Sequence, residues 1–398
     1  MSLAMDRMST SVGTFAVHDV RAVLPDRVVD GAVVVCENGM ITDVKEGGAA
    51  PVGAIDGRGS LLIPGIVDVH SDALEVEVNP RPGTSFPIDF ALGAFEARVR
   101  AAGVTTVFHG VGFYDTGGGR HTGRTLEQAR SVCAVLRIRM ESGRAGIAHH
   151  VLHRMDVRSP LALDVLLECL PVPAPGVPAP MVSVEDHTPG QGQFRDIDRF
   201  VAARAAEQPG KTREEIEKLV HDRITGRDAL LVNRDRNVER LGDLAASARI
   251  RLLAHDVVSA EEIADVRTRG ARVAEFPTTM EAARAAREAG MPVVMGAPNV
   301  LRGGSHSGNI GARDVAAAGL VDALASDYAP PALLAAAIRL AADGVLPLTD
   351  AVGIVTSGPA RTAGLLDRGT IAPGQRGDLV LVDDSGRWPE VLLVQTSG

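Results

Sequence analysis

The sequence predicts an α/β protein, a (β/α)8 TIM-like barrel with a small β-sandwich lobe built from both chain termini. Three observations predict it. Through the middle of the chain, short apolar runs alternate with longer Ala/Arg/Glu-rich stretches of helical period, the signature of a parallel sheet covered by helices. There are about eight such runs, the number a closed barrel needs. Both chain ends read instead as short β-branched segments separated by turn signals such as Asn38-Gly39. A length of 398 residues leaves room for one large barrel and an accessory lobe. The expected division is 1–62 for the first part of the lobe, 63–345 for the barrel, and 346–398 for a C-terminal helix and the return strands.

The elements follow in order. Residues 21–24 and 32–36 are lobe strands, and the apolar runs 61–69, 103–108, 146–150, 181–184, 250–254, 272–276, 292–295 and 321–325 are the barrel strands. Helical period marks 90–102, 123–142, 195–207, 211–225, 260–269, 280–289 and 333–342. The proline-rich stretch 171–180 is a loop, and 369–373, a Gly-Gln-Arg-Gly turn and 378–382 return to the lobe. A doubly wound open sheet is disfavoured because no GxGxxG follows the first core strand.

Composition excludes several classes. With 41 Lys+Arg against 50 Asp+Glu the chain carries −9 at pH 7, so a general grip on a nucleic-acid backbone is excluded. Aromatic residues at 3% leave no base-stacking platform. Cys36, Cys133 and Cys169 form no CxxC pair, which argues against a disulfide framework or a thiolate zinc site. No signal-type or membrane-length apolar run is present. The expectation is a cytoplasmic protein with no membrane partner. The opening Met-Ser-Leu reads as an expression leader.

The chemistry lies where the strands end. Run 61–69 leads into His70-Ser71-Asp72, run 103–108 into His109, and run 181–184 into Glu185-Asp186-His187. Run 250–254 leads into His255-Asp256, and run 321–325 into Ser326-Asp327. Imidazoles and carboxylates therefore gather on the C-terminal rim, where barrel chemistry occurs. Residues i and i+2 of a strand point the same way, so His70 and Asp72 can reach one ion. Converging nitrogen and oxygen donors suit a divalent metal, and two ions can share and acidify a water. The expected cofactor is two divalent ions, with zinc favoured and manganese or magnesium as alternatives. The ligand set is His70, Asp72, Asp156, His187, His255 and Asp327. Asp156, after His149, His150, His153 and Arg154, competes with Glu185 and Asp186 for the remaining carboxylate position. His109 has an open role.

Two segments suggest anion recognition. Arg81 sits on the rigid Asn79-Pro80-Arg81-Pro82-Gly83 loop. The stretch Arg302-Gly303-Gly304-Ser305-His306-Ser307-Gly308-Asn309 offers backbone N–H groups, hydroxyls and a guanidinium to phosphate oxygens. Arg81, Arg302, Ser305, His306 and Asn309 are the expected substrate-binding residues, and the expected partner is a phosphorylated small molecule.

The motifs Pro64-Gly65-Ile66-Val67-Asp68-Val69-His70-Ser71-Asp72-Ala73-Leu74-Glu75, Asp186-His187-Thr188-Pro189-Gly190-Gln191, Glu275-Phe276-Pro277-Thr278-Thr279 and Gly296-Ala297-Pro298-Asn299 carry a resemblance, together with the 302–309 stretch and Ser326-Asp327-Tyr328. Over nearly its whole length the chain resembles the amidohydrolase superfamily, and within it the PhnM phosphohydrolases of the carbon–phosphorus lyase pathway. The resemblance implies cleavage of α-D-ribose 1-methylphosphonate 5-triphosphate to the 5-phosphate and pyrophosphate. Asp327 would bind metal and accept the water proton, and superfamily barrels commonly pair into homodimers. The chain departs from the family where Glu75 is followed by Val76-Glu77 in place of Lys-His, and where His109 stands for an Asp. A C–N hydrolase, such as a cyclic amidase or deacetylase, and a non-catalytic pathway scaffold are the rival readings.

Overall fold

The computed structural model describes residues 13–81, 83–115, 124–174, 176–304 and 308–397. Eight parallel strands follow one another in chain order around a barrel. They are Ile66–Ser71, Val104–Phe113, Ala148–Asp156, Met181–Glu185, Arg251–His255, Ala271–Glu275, Val293–Gly296 and Ala323–Ala325. The first and last strands meet through a parallel bridge between Ser71 and Asp327. Asp327 N–H donates to the His70 carbonyl (2.9 Å), and Asp72 N–H donates to the Asp327 carbonyl (2.6 Å). The closure of the barrel and the assembly of its mouth are thus the same set of bonds.

A single inward-facing cluster fills the barrel: Val67, Val69, Phe108, Leu152, Met181, Leu253, Val273, Val294, Ala323 and Ala325. Side-chain alternation sends the other half of each strand outward against the helices, where Val107, Val111 and Phe113 of the second strand join the larger cluster. The helices carry local start signals. Thr125, Ser259 and Thr279 each accept a backbone N–H from the first turn that follows, and Thr212 with Glu215 forms a capping box. Among the described residues no helix is long and apolar enough to cross a membrane.

The lobe is a seven-stranded sheet with strands from both ends of the chain. Phe15–Val23 pairs with Val28–Glu37, and Leu61–Pro64 pairs with both Phe15–Val23 and Leu379–Asp383. The apolar run 61–69 is not one strand. It breaks at Gly65, whose N–H donates to the Asp378 carbonyl (2.7 Å), and the chain passes there from lobe to barrel. A Cβ at Gly65 would come within 2.8 Å of Thr105 Cγ2 and 2.9 Å of Asp378 Cβ, so only glycine fits the crossing. Between the fourth and fifth strands lie three helices, Ile197–Glu207, Arg213–Asp228 and Leu231–Ala246. The last of these was not among the expected helices. Its buried face consists of Asn237, Leu241 and Leu244.

Candidate metal centre

The mouth is built by short-range backbone geometry and one buried carboxylate. Asp68 Oδ1 accepts the Ser326 N–H (3.0 Å), and its Oδ2 accepts the Ser326 hydroxyl (2.5 Å). This pins the first strand to the eighth, and burial pushes the Asp68 carboxyl up to about 6. Asp256, Phe276 and Asp327 all take left-handed backbone angles, with φ of 58°, 53° and 56°. These three turns lie at the ends of the fifth, sixth and eighth strands. Such backbone is costly for residues with a Cβ and is held only where the surroundings dictate it.

Three groups of side chains converge closely enough to hold an ion: His70, Asp72 and Asp327; Glu185, His187 and His255; and His70, His255 and Glu275. His70 Nε2 lies 3.3 Å from Asp72 Oδ1. His187 Nδ1 and His255 Nδ1 each lie 3.8 Å from a Glu185 oxygen. Asp256 Oδ2 sits 3.5 Å from His255 Nε2 and 3.8 Å from His187 Nε2. Asp72 Oδ1, His187 Nε2 and Asp256 Oδ2 are buried without a hydrogen-bond partner. Orphaned buried donors and acceptors are rare, and three facing one mouth fit a bound cation.

The electrostatics follow from burial and close charges. Burial works against the charged form of His70 and His255. Glu275 and Asp72 outweigh it at His70, raising it to about 10, and Asp256, Glu185 and Glu275 do so at His255, raising it to about 9. Burial takes His187 down to about 3, so it is neutral and ready to ligate. Burial raises Asp256 to about 6, and burial together with the Asp72 charge raises Asp327. Against its own burial, Asp72 is held low by Arg154 and Arg124.

The two guanidiniums form a fixed cationic wall. Arg154 donates Nε–H to Glu185 (2.7 Å) and also bonds Asp72, while Arg124 donates to Asp72 (2.9 Å) and to both oxygens of Glu75 (2.7 and 2.9 Å). The Tyr114 hydroxyl donates to Glu185. Glycines on the second strand make space for this wall. A Cβ at Gly110 would fall under 3.0 Å from Asp72 Oδ1 and 2.9 Å from Arg154 Cδ, and one at Gly112 would meet the Tyr114 ring.

The structure brings His70, Asp72, His187, His255 and Asp327 together at the mouth, and leaves Asp156 outside these groups. The third strand runs on to Asp156, where the helix Arg213–Asp228 lays Arg227 over it, with Nη1 2.5 Å and Nη2 2.8 Å from the carboxylate oxygens. Arg227 also reaches Asp186 (3.3 Å) and Thr188 (2.9 Å), and Arg158 holds the far side of Asp186 (2.8 Å). Asp156 and Asp186 therefore anchor the segment carrying His187, and Glu185 is the fourth-strand carboxylate that faces the mouth. His109 points outward. Its Nε2 lies 2.9 Å from His149 Nδ1, and His149 Nε2 lies 2.9 Å from Glu96 in the helix layer. Glu77 pairs with Arg98 (2.8 Å) and Val76 is exposed, so that departure from the family pattern is directed away from the metal groups.

Of the expected anion-binding residues, Arg81 and Arg302 are exposed and Asn309 is half-buried, while Ser305 and His306 lie outside the described residues. Arg302 ends the short helix Ala297–Arg302 that follows the seventh strand. Further along the chain, Ile310 N–H donates to the Thr278 carbonyl past the sixth strand (3.1 Å). Arg124, Asp256 and Glu275 were not expected as site residues. Glu275 carries the same signal as the others, a charge ending an apolar strand, but Phe276 after it extends the apolar run in the sequence and hides the strand end.

The Amidohydrolase family matches residues 61–396. An alpha-D-ribose 1-methylphosphonate 5-triphosphate diphosphatase from Escherichia coli (strain K12) is 35% identical over 368 residues, covering 92% of this chain and 94% of that protein. Among solved structures, N-acetylglucosamine-6-phosphate deacetylase from Pasteurella multocida superposes with a TM-score of 0.61 at 11% identity, over 97% of this chain and 99% of that one. A putative prolidase from Bifidobacterium longum gives 0.61 at 14% identity, over 97% and 94%. These two share the fold.

Proposed function

Because the chain belongs to the amidohydrolase family, we propose that it is a metal-dependent diphosphatase releasing pyrophosphate from ribose 1-methylphosphonate 5-triphosphate or a closely related phosphorylated sugar. The observation that carries this reading is the convergence of five strand ends on one mouth, with three buried polar atoms there unsatisfied. The relative of 35% identity supports the substrate class.

His70, Asp72 and Asp327 would hold one divalent ion, and Glu185, His187 and His255 a second, with Asp256 Oδ2 facing the second pair of imidazoles. The mixed nitrogen and oxygen donors favour zinc, with manganese or magnesium as alternatives. Bound ions supply an acidified water and positive charge for the phosphoryl oxygens. Asp327 takes the proton as water attacks phosphorus, the phosphoanhydride P–O bond breaks, and pyrophosphate leaves. Arg154 and Arg124 keep Asp72 ionised and aimed, since a carboxylate between two guanidiniums neither protonates nor swings away. Arg81, Arg302 and the 305–309 stretch are proposed to bind the polyphosphate.

The test is pyrophosphate release from the sugar triphosphate by metal-stripped protein reloaded with zinc, manganese or magnesium. Metal-dependent release supports the proposal. No turnover with any of the three metals, alongside hydrolysis of a cyclic amide or an N-acetyl sugar, rejects it in favour of a C–N hydrolase.

A further inference from the structure

We infer that Glu275 is a positioning residue for two imidazoles at once: it anchors His70 and His255 through Nδ1 so that both Nε2 atoms face the metal, and it is not itself a ligand. This rests on the metal-dependent reading above and adds a residue whose role that reading leaves open.

Glu275 ends the sixth strand, fully buried, and pairs in parallel register with His255 on the neighbouring strand. Its Oε1 lies 2.8 Å from His70 Nδ1, and its Oε2 lies 2.8 Å from His255 Nδ1. The Ser183 hydroxyl donates to Oε2 at 2.5 Å, which fixes the carboxylate from the fourth strand. The two imidazole rings are 6.0 Å apart and only 27° from parallel, so one carboxylate edge spans them. Phe276 packs against both, with centroids at 5.1 and 5.4 Å.

Distances separate a ligand from a support. Metal–ligand bonds of about 2.0–2.2 Å in a tetrahedral site place neighbouring donor atoms about 3.3 Å apart. The separations of 2.8 Å at Glu275 are too short for that and are ordinary hydrogen bonds. On the opposite side of each ring the spacing is that of a coordination edge: His70 Nε2 to Asp72 Oδ1 is 3.3 Å, and His255 Nε2 to Asp256 Oδ2 is 3.5 Å. Both of those oxygens lack hydrogen-bond partners, whereas both Glu275 oxygens are engaged. The group of His70, His255 and Glu275 is therefore the shared support beneath the metal cups. A carboxylate that accepts from two Nδ1–H groups fixes both rings and raises their basicity toward the ion.

Glu275→Gln tests this, because the amide keeps the shape but can accept from only one of the two Nδ1–H groups. Zinc affinity, measured by competition with a chromophoric chelator, should fall about 10- to 100-fold. The wild-type protein loaded with cadmium-113 and labelled with 15N-histidine gives a second readout that needs no variant. Cadmium coupling should appear on Nε2 of both His70 and His255, with Nδ1 protonated. An E275Q affinity within twofold of wild type, or coupling at Nδ1, overturns the inference while leaving the metal-dependent reading intact. If E275Q does not fold, the wild-type spectrum decides. A wild-type protein that takes up no divalent ion overturns both.

Discussion

Gly110 offers a direct way to disturb Asp72 without replacing any ionisable residue. It lies in the middle of the second strand, and its missing side chain is the space that Asp72 Oδ1 and Arg154 Cδ occupy. In Gly110→Ala the added methyl would sit under 3.0 Å from the first and 2.9 Å from the second. Neither neighbour can yield freely. Asp72 is tied to Arg124 and Arg154, and its backbone N–H is part of the barrel closure. The overpacking should cost about 1–3 kcal/mol of stability. A displacement of about 1 Å in Asp72 should lower kcat/KM on the order of 100-fold. Gly93→Ala is the matched control: it adds the same methyl within the helix Ile88–Ala101, where nothing lies within 4 Å. It should be neutral or stabilising by up to about 1 kcal/mol. Thermal unfolding and pyrophosphate-release kinetics on both variants are the assay. A G110A protein with kcat/KM within threefold of G93A would refute the placement of Asp72 in the reaction centre.

Further outcomes follow from the same geometry. Asp327→Asn should fold but lose about 10²–10⁴ in kcat, because the amide cannot take the proton; wild-type turnover would move that role elsewhere. In the metal-free protein, His70 at about 10 and His255 at about 9 lie above the ordinary 6.5. The stability they contribute is complete below pH 6.5 and lost as pH rises through 9–10. The Tm of chelator-treated protein should therefore fall across that window more steeply than that of zinc-loaded protein, and parallel curves would contradict it. Arg227→Ala strips Asp156 of its guanidinium and leaves Asp186 with Arg158 alone, and should cost about 3 kcal/mol. It should also weaken zinc binding through the His187 segment, which chelator competition would show.

The barrel was legible because its strands are buried on both faces and so read as short, mainly apolar runs, as at 292–295. The first strand was misjudged in extent because lobe and barrel strands are both apolar across Gly65, and only the close approach of Thr105 and Asp378 reveals the break. His70, Asp72, His187, His255 and Asp327 were readable as polar residues that end such runs. Asp156 gave the same local signal, and its exclusion depends on Arg227, 71 residues away on the inserted helices. Chain order carries no trace of that contact. His109, whose role the sequence leaves open, stands at the end of the apolar run 103–108 but not at the end of the strand: the second strand continues to Phe113, so His109 is mid-strand and its parity turns it outward.

Anomalous diffraction at the zinc edge from zinc-loaded crystals puts the convergence of strand ends to the sharpest test. Peaks should appear about 2.0–2.2 Å from His70 Nε2 and His255 Nε2, with Asp327 and Glu185 among the ligating oxygens. A zinc-replete crystal with no peak between these side chains would contradict it.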